Sequence, residues 1–255
     1  MNNVERHQYI IKKVNEKGHI SVIELCDALQ VSSVTIRKDL QFLEDSRLVF
    51  RTHGGATRNN PYQTDRPVNE KEKIFEKEKV LIGKNAALLV SENDSIIIGS
   101  GTTTQFLARE INPLGNLTVV TSALNVTLEL LKHQNVDVIQ LGGQVRRTSS
   151  SVVGQYANSI LDNFFCSKLF LGVDGIDLEY GISTTNAQEA MLNQKMINVA
   201  QKVIVLADSS KFGRKSFGKI EDFSKIDTVI SDDMPSNYLK YLESLGIEVI
   251  LCKNK

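Results

Sequence analysis

The chain has little of what marks a secreted, metal-binding or membrane protein. It holds three cysteines in 255 residues, Cys26, Cys166 and Cys252, too scattered for a disulfide framework. They lack metal-ligand spacing and no histidine clusters with them, so packing is their expected role; neither metal nor cofactor is expected. No apolar run is long enough to span a bilayer, and the polar N-terminus carries no signal-peptide pattern. A cytoplasmic protein without a membrane partner is the expectation. Net charge is lacking as well, since 30 Lys and Arg balance 30 Asp and Glu. A uniformly basic nucleic-acid binder is thereby excluded, although an average over two domains hides local patches. No internal repeat or low-complexity segment interrupts the chain, whose length suits one small and one medium domain.

What is present begins near the N-terminus. Val4 to Lys17 carries Ile10, Ile11 and Val14 at helical spacing and ends at Gly18. Ser21 and Glu24 form a capping box for a second helix with Val22, Leu25 and Leu29 inward. Ser32 caps a third, which gathers Ile36, Leu40 and Leu43 on one face. Val34, Lys38 and Gln41 fall opposite, with Thr35 and Arg37 at the edges. Such a helix is either an ordinary amphipathic surface helix or one that fits the major groove. The following residues favour DNA. Leu48 to Arg51 reads as a strand, Gly54-Gly55 as a tight turn, and a return strand follows. Three helices and a β-hairpin make a winged helix-turn-helix. Arg37, Lys38, Arg47, Arg51 and Arg58 concentrate positive charge in this stretch. The candidate contacts to double-stranded DNA are Ser33, Thr35, Arg37, Lys38, Gln41, Arg51 and His53. Asp39 is assigned to structure, as partner of a basic side chain in the same domain.

Residues 58–72 read as a linker, containing Asn59-Asn60-Pro61 and Arg66-Pro67. The domains are then 1–57 and 73–255. Glu70 to Lys79 is dense in both charges and reads as a solvated helix face laced with ion pairs. Ile74, Phe75, Leu81, Ile82, Leu88 and Leu89 would be its buried side. From Asp94 onward short β-rich runs alternate with small-residue turns and helices. The runs begin at Ser95, Leu117, Val136, Leu169, Val203, Thr228 and Glu248. This pattern predicts an α/β domain with a largely parallel sheet, whose ligands sit beyond the carboxyl ends of strands.

The turns there hold the candidate ligand residues. Gly99-Ser100-Gly101-Thr102-Thr103-Thr104 offers glycine-permitted backbone turns, hydroxyl donors and a following helix N-terminus. It ends in no Gly-Lys-Ser/Thr, and Thr104 stands where a dinucleotide fingerprint has its third glycine. A single phosphate fits better than a nucleotide, and a plain strand-to-helix turn is the alternative. Lys211, soon after a strand, offers a point charge at the same rim, unless it is simply solvated. Asp174, in Gly172-Val173-Asp174-Gly175, either accepts sugar hydroxyls or bonds its own turn. Arg146, after Gly142-Gly143, either contacts ligand or caps neighbouring carbonyls. Glu189 is a further candidate.

These motifs resemble the DeoR family of bacterial transcription regulators. Arg6, Ile10 and Ser32-x-x-Thr35-Ile36-Arg37-Lys38-Asp39-Leu40 match its N-terminal signature, and Arg51-Thr52-His53-Gly54-Gly55-Ala56 its wing. Gly101 to Thr104, Thr121-Ser122, Leu141-Gly142-Gly143 and Asp208 to Phe212 match its C-terminal sensor domain, which brings Ser122 among the candidates. The resemblance implies a sensor fold similar to sugar-phosphate isomerases. It also implies a phosphorylated sugar effector, repression of sugar or carbohydrate metabolism genes, and a homodimer or homotetramer. The competing reading is a sugar-phosphate isomerase with an accessory DNA-binding module. Those isomerases carry a glycine-rich loop with a lysine before the catalytic glutamate. The matching stretch here, Tyr180 to Glu189, has one glycine and no lysine. No catalytic residue is therefore assigned.

Overall fold

The computed structural model describes residues 2–46, 48–52, 54–57, 66–113 and 115–253. His53, Arg47, Arg58 and the Asn59-Asn60-Pro61 segment lie outside these residues. The chain divides into two compact units, Met1–Thr64 and Asp65–Lys255.

The first unit runs α1 (Asn3–Lys17), β1 (His19–Ser21), α2 (Val22–Leu29), α3 (Ser33–Asp45), β2 (Phe50–Thr52) and β3 (Gly55–Thr57). Capping boxes start α1, through Asn2 and Glu5, and α2, through Ser21 and Glu24. The Ser32 hydroxyl accepts from the Thr35 amide and starts α3. Ile10, Leu25, Ile36 and Leu40 are fully buried together, each contributing about 1.5–3 kcal/mol of transfer free energy. The sequence pattern missed β1. It pairs with β3 to give the order β1-β3-β2. It also explains Gly55, where a Cβ would lie 2.0 Å from the Ile20 carbonyl oxygen.

Arg6 and Asp39 tie α1 to α3. Nε donates to Oδ2 at 2.5 Å and Nη2 to Oδ1 at 2.8 Å, with both side chains buried. His7 Nε2 also reaches Oδ1 at 2.8 Å, and its ring stacks on Phe42 at 4.8 Å between centroids. Burial pushes the Asp39 carboxyl up, but hydrogen bonds from Arg6 and His7 outweigh it and hold the group below the usual carboxylate range.

The second unit opens with α4 (Val68–Glu72) and α5 (Glu76–Ala87), then β4 (Ser95–Ile98), α6 (Thr102–Glu110), β5 (Leu117–Thr121), α7 (Leu124–Leu130) and β6 (Val136–Gln140). A hairpin of β7 (Gln144–Arg146) and β8 (Ser151–Val153) leads to α8 (Gln155–Leu161) and β9 (Cys166–Gly172). Next come β10 (Gly175–Asp177), β11 (Gly181–Thr184), α9 (Ala187–Asn198), β12 (Ala200–Leu206) and β13 (Gly218–Glu221). The unit closes with β14 (Thr228–Ser231), α10 (Ser236–Ser244) and β15 (Glu248–Leu251). Seven strands form one parallel sheet in the order β15-β14-β12-β9-β4-β5-β6. Both faces are covered, as parallel sheets require. Ile97 faces the core with α8, α9 and α10, whereas Ile96 and Ile98 face the core with α5, α6 and α7. β10, β11 and β13 form a small separate antiparallel sheet that the sequence pattern did not reveal.

Two expectations need correction. The segment expected to be linker through residue 72 contains α4, which belongs to the second unit. The charged helix expected from Glu70 is broken at Phe75, whose φ of 53° is left-handed. Ile74, Phe75 and Leu88 are consequently exposed, while Ile82 stays buried. The buried Lys79 ammonium donates to the carbonyl oxygens of Lys71 and Ile74 beside the break, the first of which also accepts from the Ile74 amide at 3.2 Å.

Candidate functional site

The first unit presents one polar face. Ser33, Arg37, Lys38 and Gln41 of α3 are exposed, opposite the buried Ile36, Leu40 and Leu43. Thr35 is half-buried, and its hydroxyl lies 3.0 Å from that of Ser32 at the helix start. Arg51 of the wing is half-buried and donates to the Gln41 carboxamide oxygen. Its own amide donates to Glu44 at 3.1 Å. The wing and α3 are thereby joined through side chains, and Gln41 and Arg51 act as a pair. Exposed Val34 lies on the same helix and suits contact with a thymine methyl.

In the second unit the strand order turns back between β4 and β9. From β4 the chain proceeds to β5 and β6 on one side, and from β9 to β12, β14 and β15 on the other. Loops leaving two such strands diverge and leave a crevice at their carboxyl ends. A cleft lies there. Ser100, Gly101, Thr102 and Thr103 line it after β4, Gly172 to Asp174 after β9, and Lys211 after β12. Gly101, with φ 133°, turns the chain into α6, and among the described residues no side chain caps that helix. The first-turn amides of α6 and the positive end of its dipole suit an acceptor there.

The charges agree with an anion site. Lys71 of α4 sits 3.0 Å from Asp174 Oδ1, and both line the cleft with Lys211. Asp174 Oδ2 accepts from Thr184 Oγ1 at 3.0 Å and from the Thr185 amide at 3.2 Å. Burial pushes the Asp174 carboxyl up, but the ammonium groups of Lys71 and Lys211 and these hydrogen bonds prevail, holding it far below the carboxylate range. Lys211 is placed by its neighbours. Asp208 caps the short 3-10 turn Ser209–Lys211, and Phe212 anchors it in the core against Tyr238.

Of the ten expected ligand residues, Ser100, Gly101, Thr102, Thr103, Asp174, Glu189 and Lys211 line the cleft. Thr104, Ser122 and Arg146 are not among the described residues lining it. Thr104 is fully buried and its hydroxyl donates to the Gly101 carbonyl at 2.9 Å, so it shapes the turn from behind. Ser122 is buried, and its carbonyl accepts from the Val152 amide at 2.8 Å. Arg146 lies 2.8 Å from Glu189 Oε2 and donates to Thr148 at 2.9 Å. Glu189 also accepts from Ser151 at 3.0 Å, so both of its oxygens are engaged. Asp174 bonds across to Thr184 and Thr185 rather than to its own turn. The residues missed are Val68, Lys71, Thr148, Ser149, Thr184 and Asn193. Among these, Lys71 was hidden in a charge run that composition assigns to solvent.

Residues 6–62 match the DeoR-like helix-turn-helix domain, and residues 74–233 match the DeoR C terminal sensor domain. The chain is 39% identical over 250 residues to a putative aga operon transcriptional repressor of Escherichia coli O157:H7, covering 97% of this chain and 93% of that one. It is 34% identical over 254 residues to a lactose phosphotransferase system repressor of Staphylococcus epidermidis, covering 98% and 100%. Among solved structures it is similar to ribose 5-phosphate isomerase A from Methanocaldococcus jannaschii, with TM-score 0.41 and 16% identity over 55% of this chain and 56% of that one. That last likeness is too slight to bear on chemistry. The full-length relatives and the two domain matches together establish that the chain belongs to the DeoR family.

Proposed function

We propose that this protein represses genes of sugar or carbohydrate metabolism and is controlled by a phosphorylated sugar bound in the cleft. The carrying observation is the convergence of the uncapped α6 N-terminus with Lys71 and Lys211 at the switch point of the sheet. Two ammonium groups and a helix dipole face Asp174, and Arg146 offsets Glu189, the other carboxylate in the lining, which leaves room for the charge of a phosphate. Asp174 accepts hydroxyl hydrogens and is the sugar-facing group. The names of the relatives, an aga operon repressor and a lactose phosphotransferase system repressor, agree in kind. In the first unit Ser33, Thr35, Arg37, Lys38, Gln41 and Arg51 contact operator DNA, with His53 of the wing proposed on sequence alone.

The protein is proposed not to be an enzyme. An aldose–ketose isomerase needs a carboxylate base free to reach the C2 proton. Glu189, the carboxylate of the stretch matching the isomerases' catalytic segment, is held by Arg146 and Ser151. The working form is a homodimer or homotetramer in the cytoplasm, where operator DNA lies, because one small winged domain gains affinity from a second half-site. The effector releases the operator, since a sensor of incoming sugar should free the genes that consume it.

A thermal-shift panel of pentose and hexose phosphates against the full chain tests the site. A ligand at a hundred times its dissociation constant adds roughly 2.7 kcal/mol of stability. Equal shifts with the unphosphorylated sugars would contradict the phosphate assignment.

A further inference from the structure

α4 is too short to hold itself. A helix of five residues has no independent stability in water, so tertiary contacts set its place. Val68 is buried, and its amide donates to the Thr148 carbonyl at 2.6 Å. Glu72 meets Arg109 of α6 at 2.9 Å. Lys79, buried in α5, grips the Lys71 and Ile74 carbonyls. A further hold is the Lys71–Asp174 pair, and it lies inside the cleft. By chain order α4 is also where the polypeptide enters the second unit, beginning at Val68 soon after the boundary at Asp65.

We infer that Lys71 senses occupancy of the cleft and that α4 is the strap that carries this state toward the DNA-binding unit. The inference rests on the reading that the cleft takes a phosphorylated ligand. Lys71 is partnered by a carboxylate that Thr184 and Thr185 already share. A phosphate dianion at the α6 N-terminus carries more charge and more acceptor atoms, so it takes Lys71 and frees Asp174 for ligand hydroxyls. The Lys71 carbonyl is held by Lys79, a positioning residue, so the five-residue helix turns about that point when the ammonium follows its new partner. The ligand thereby favours one seat of α4 over another, which is the differential interaction that a ligand-driven switch requires.

Hydrogen–deuterium exchange of the full-length protein tests this, with ribose 5-phosphate, glucose 6-phosphate and inorganic phosphate as probes. Binding should protect the amides of Thr102 to Gln105 and change exchange between Val68 and Ile74 by at least about threefold. Lys71 is partly exposed, so Lys71→Met should fold. In that variant, protection at Thr102 to Gln105 should survive at higher probe concentration, while the change in α4 and the response at the operator disappear. Lys71→Arg should recover both. Protection at Thr102 to Gln105 with α4 unchanged in the wild type would overturn the strap and leave the phosphate site standing. So would a Lys71→Met variant that releases operator as fully as wild type at saturation. If no probe protects Thr102 to Gln105, the phosphate reading fails and the strap with it.

Discussion

Arg6 and Asp39, 33 residues apart, meet in a buried two-point ion pair that fixes α1 against α3. The pair sets which side of α3 faces outward, because Asp39 lies between the buried Ile36 and Leu40 on one side and the exposed Lys38 and Gln41 on the other. Removing one partner leaves the other charge buried alone. Asp39→Asn or Arg6→Met should therefore cost about 3–5 kcal/mol, a large share of what so small a unit has. Calorimetry of the full chain should show a transition at lower temperature for the first unit, with the second unit's transition unmoved. Asp39 has a depressed folded pKa, so its stabilisation is complete above its unfolded value near 4 and fades as pH falls through the folded value. The Asp39→Asn variant should lack that acid-side loss.

The exposed cations of α3 should separate base contact from phosphate contact. Arg37→Ala or Lys38→Ala should cost about 1–3 kcal/mol of operator affinity where the contact is to a base. A phosphate contact should weaken all sequences alike and flatten the salt slope by about one ion. Arg51 and Gln41 form a pair, so their double variant should cost less than the sum of the single ones. Strict additivity in a fluorescence-anisotropy cycle would contradict that coupling.

Lys79 predicts an alkaline signature. Burial lowers its pKa to about 8, with Asp208 opposing. The folded chain thus gives up a proton that the unfolded chain keeps until about pH 10.5. Between these values the wild type should gain stability relative to Lys79→Met as pH rises, by at most about 1.4 kcal/mol per pH unit. Parallel urea-unfolding curves for the two proteins across that window would contradict the burial of a charge at this position.

Assembly is checked by light scattering. The full chain at micromolar concentration should elute as a dimer or tetramer. A monomer that nonetheless binds a single operator tightly would remove the argument from paired half-sites.

Much of the fold was legible in the sequence. The strands of the main sheet showed because they are short apolar runs set between turns and helices, and the inner ones, such as Ser95–Ile98 and Thr228–Ser231, are rich in buried Ile and Val. Ser21 and Ser32 announced their helices through local capping, which needs no tertiary partner. The turn from Gly99 to Thr104 was legible for the same reason. Lys71 was not, because its partner Asp174 lies 103 residues away and nothing local distinguishes it from the lysines around it. The break at Phe75 had no glycine or proline to mark it. β1 and β10, at three residues each, are too short for an alternating pattern, and β11 meets β13 only across the intervening α9 and β12.

Operator affinity with and without a saturating sugar phosphate, in wild type, Lys211→Ala and Thr103→Ala, bears most directly on the sensor reading. Wild type should lose about a hundredfold in affinity, an ordinary coupling of about 2.7 kcal/mol. Both variants should bind the operator as wild type does without ligand and respond far less to it. Variants that respond as fully as wild type at every ligand concentration would place the effector somewhere other than this cleft.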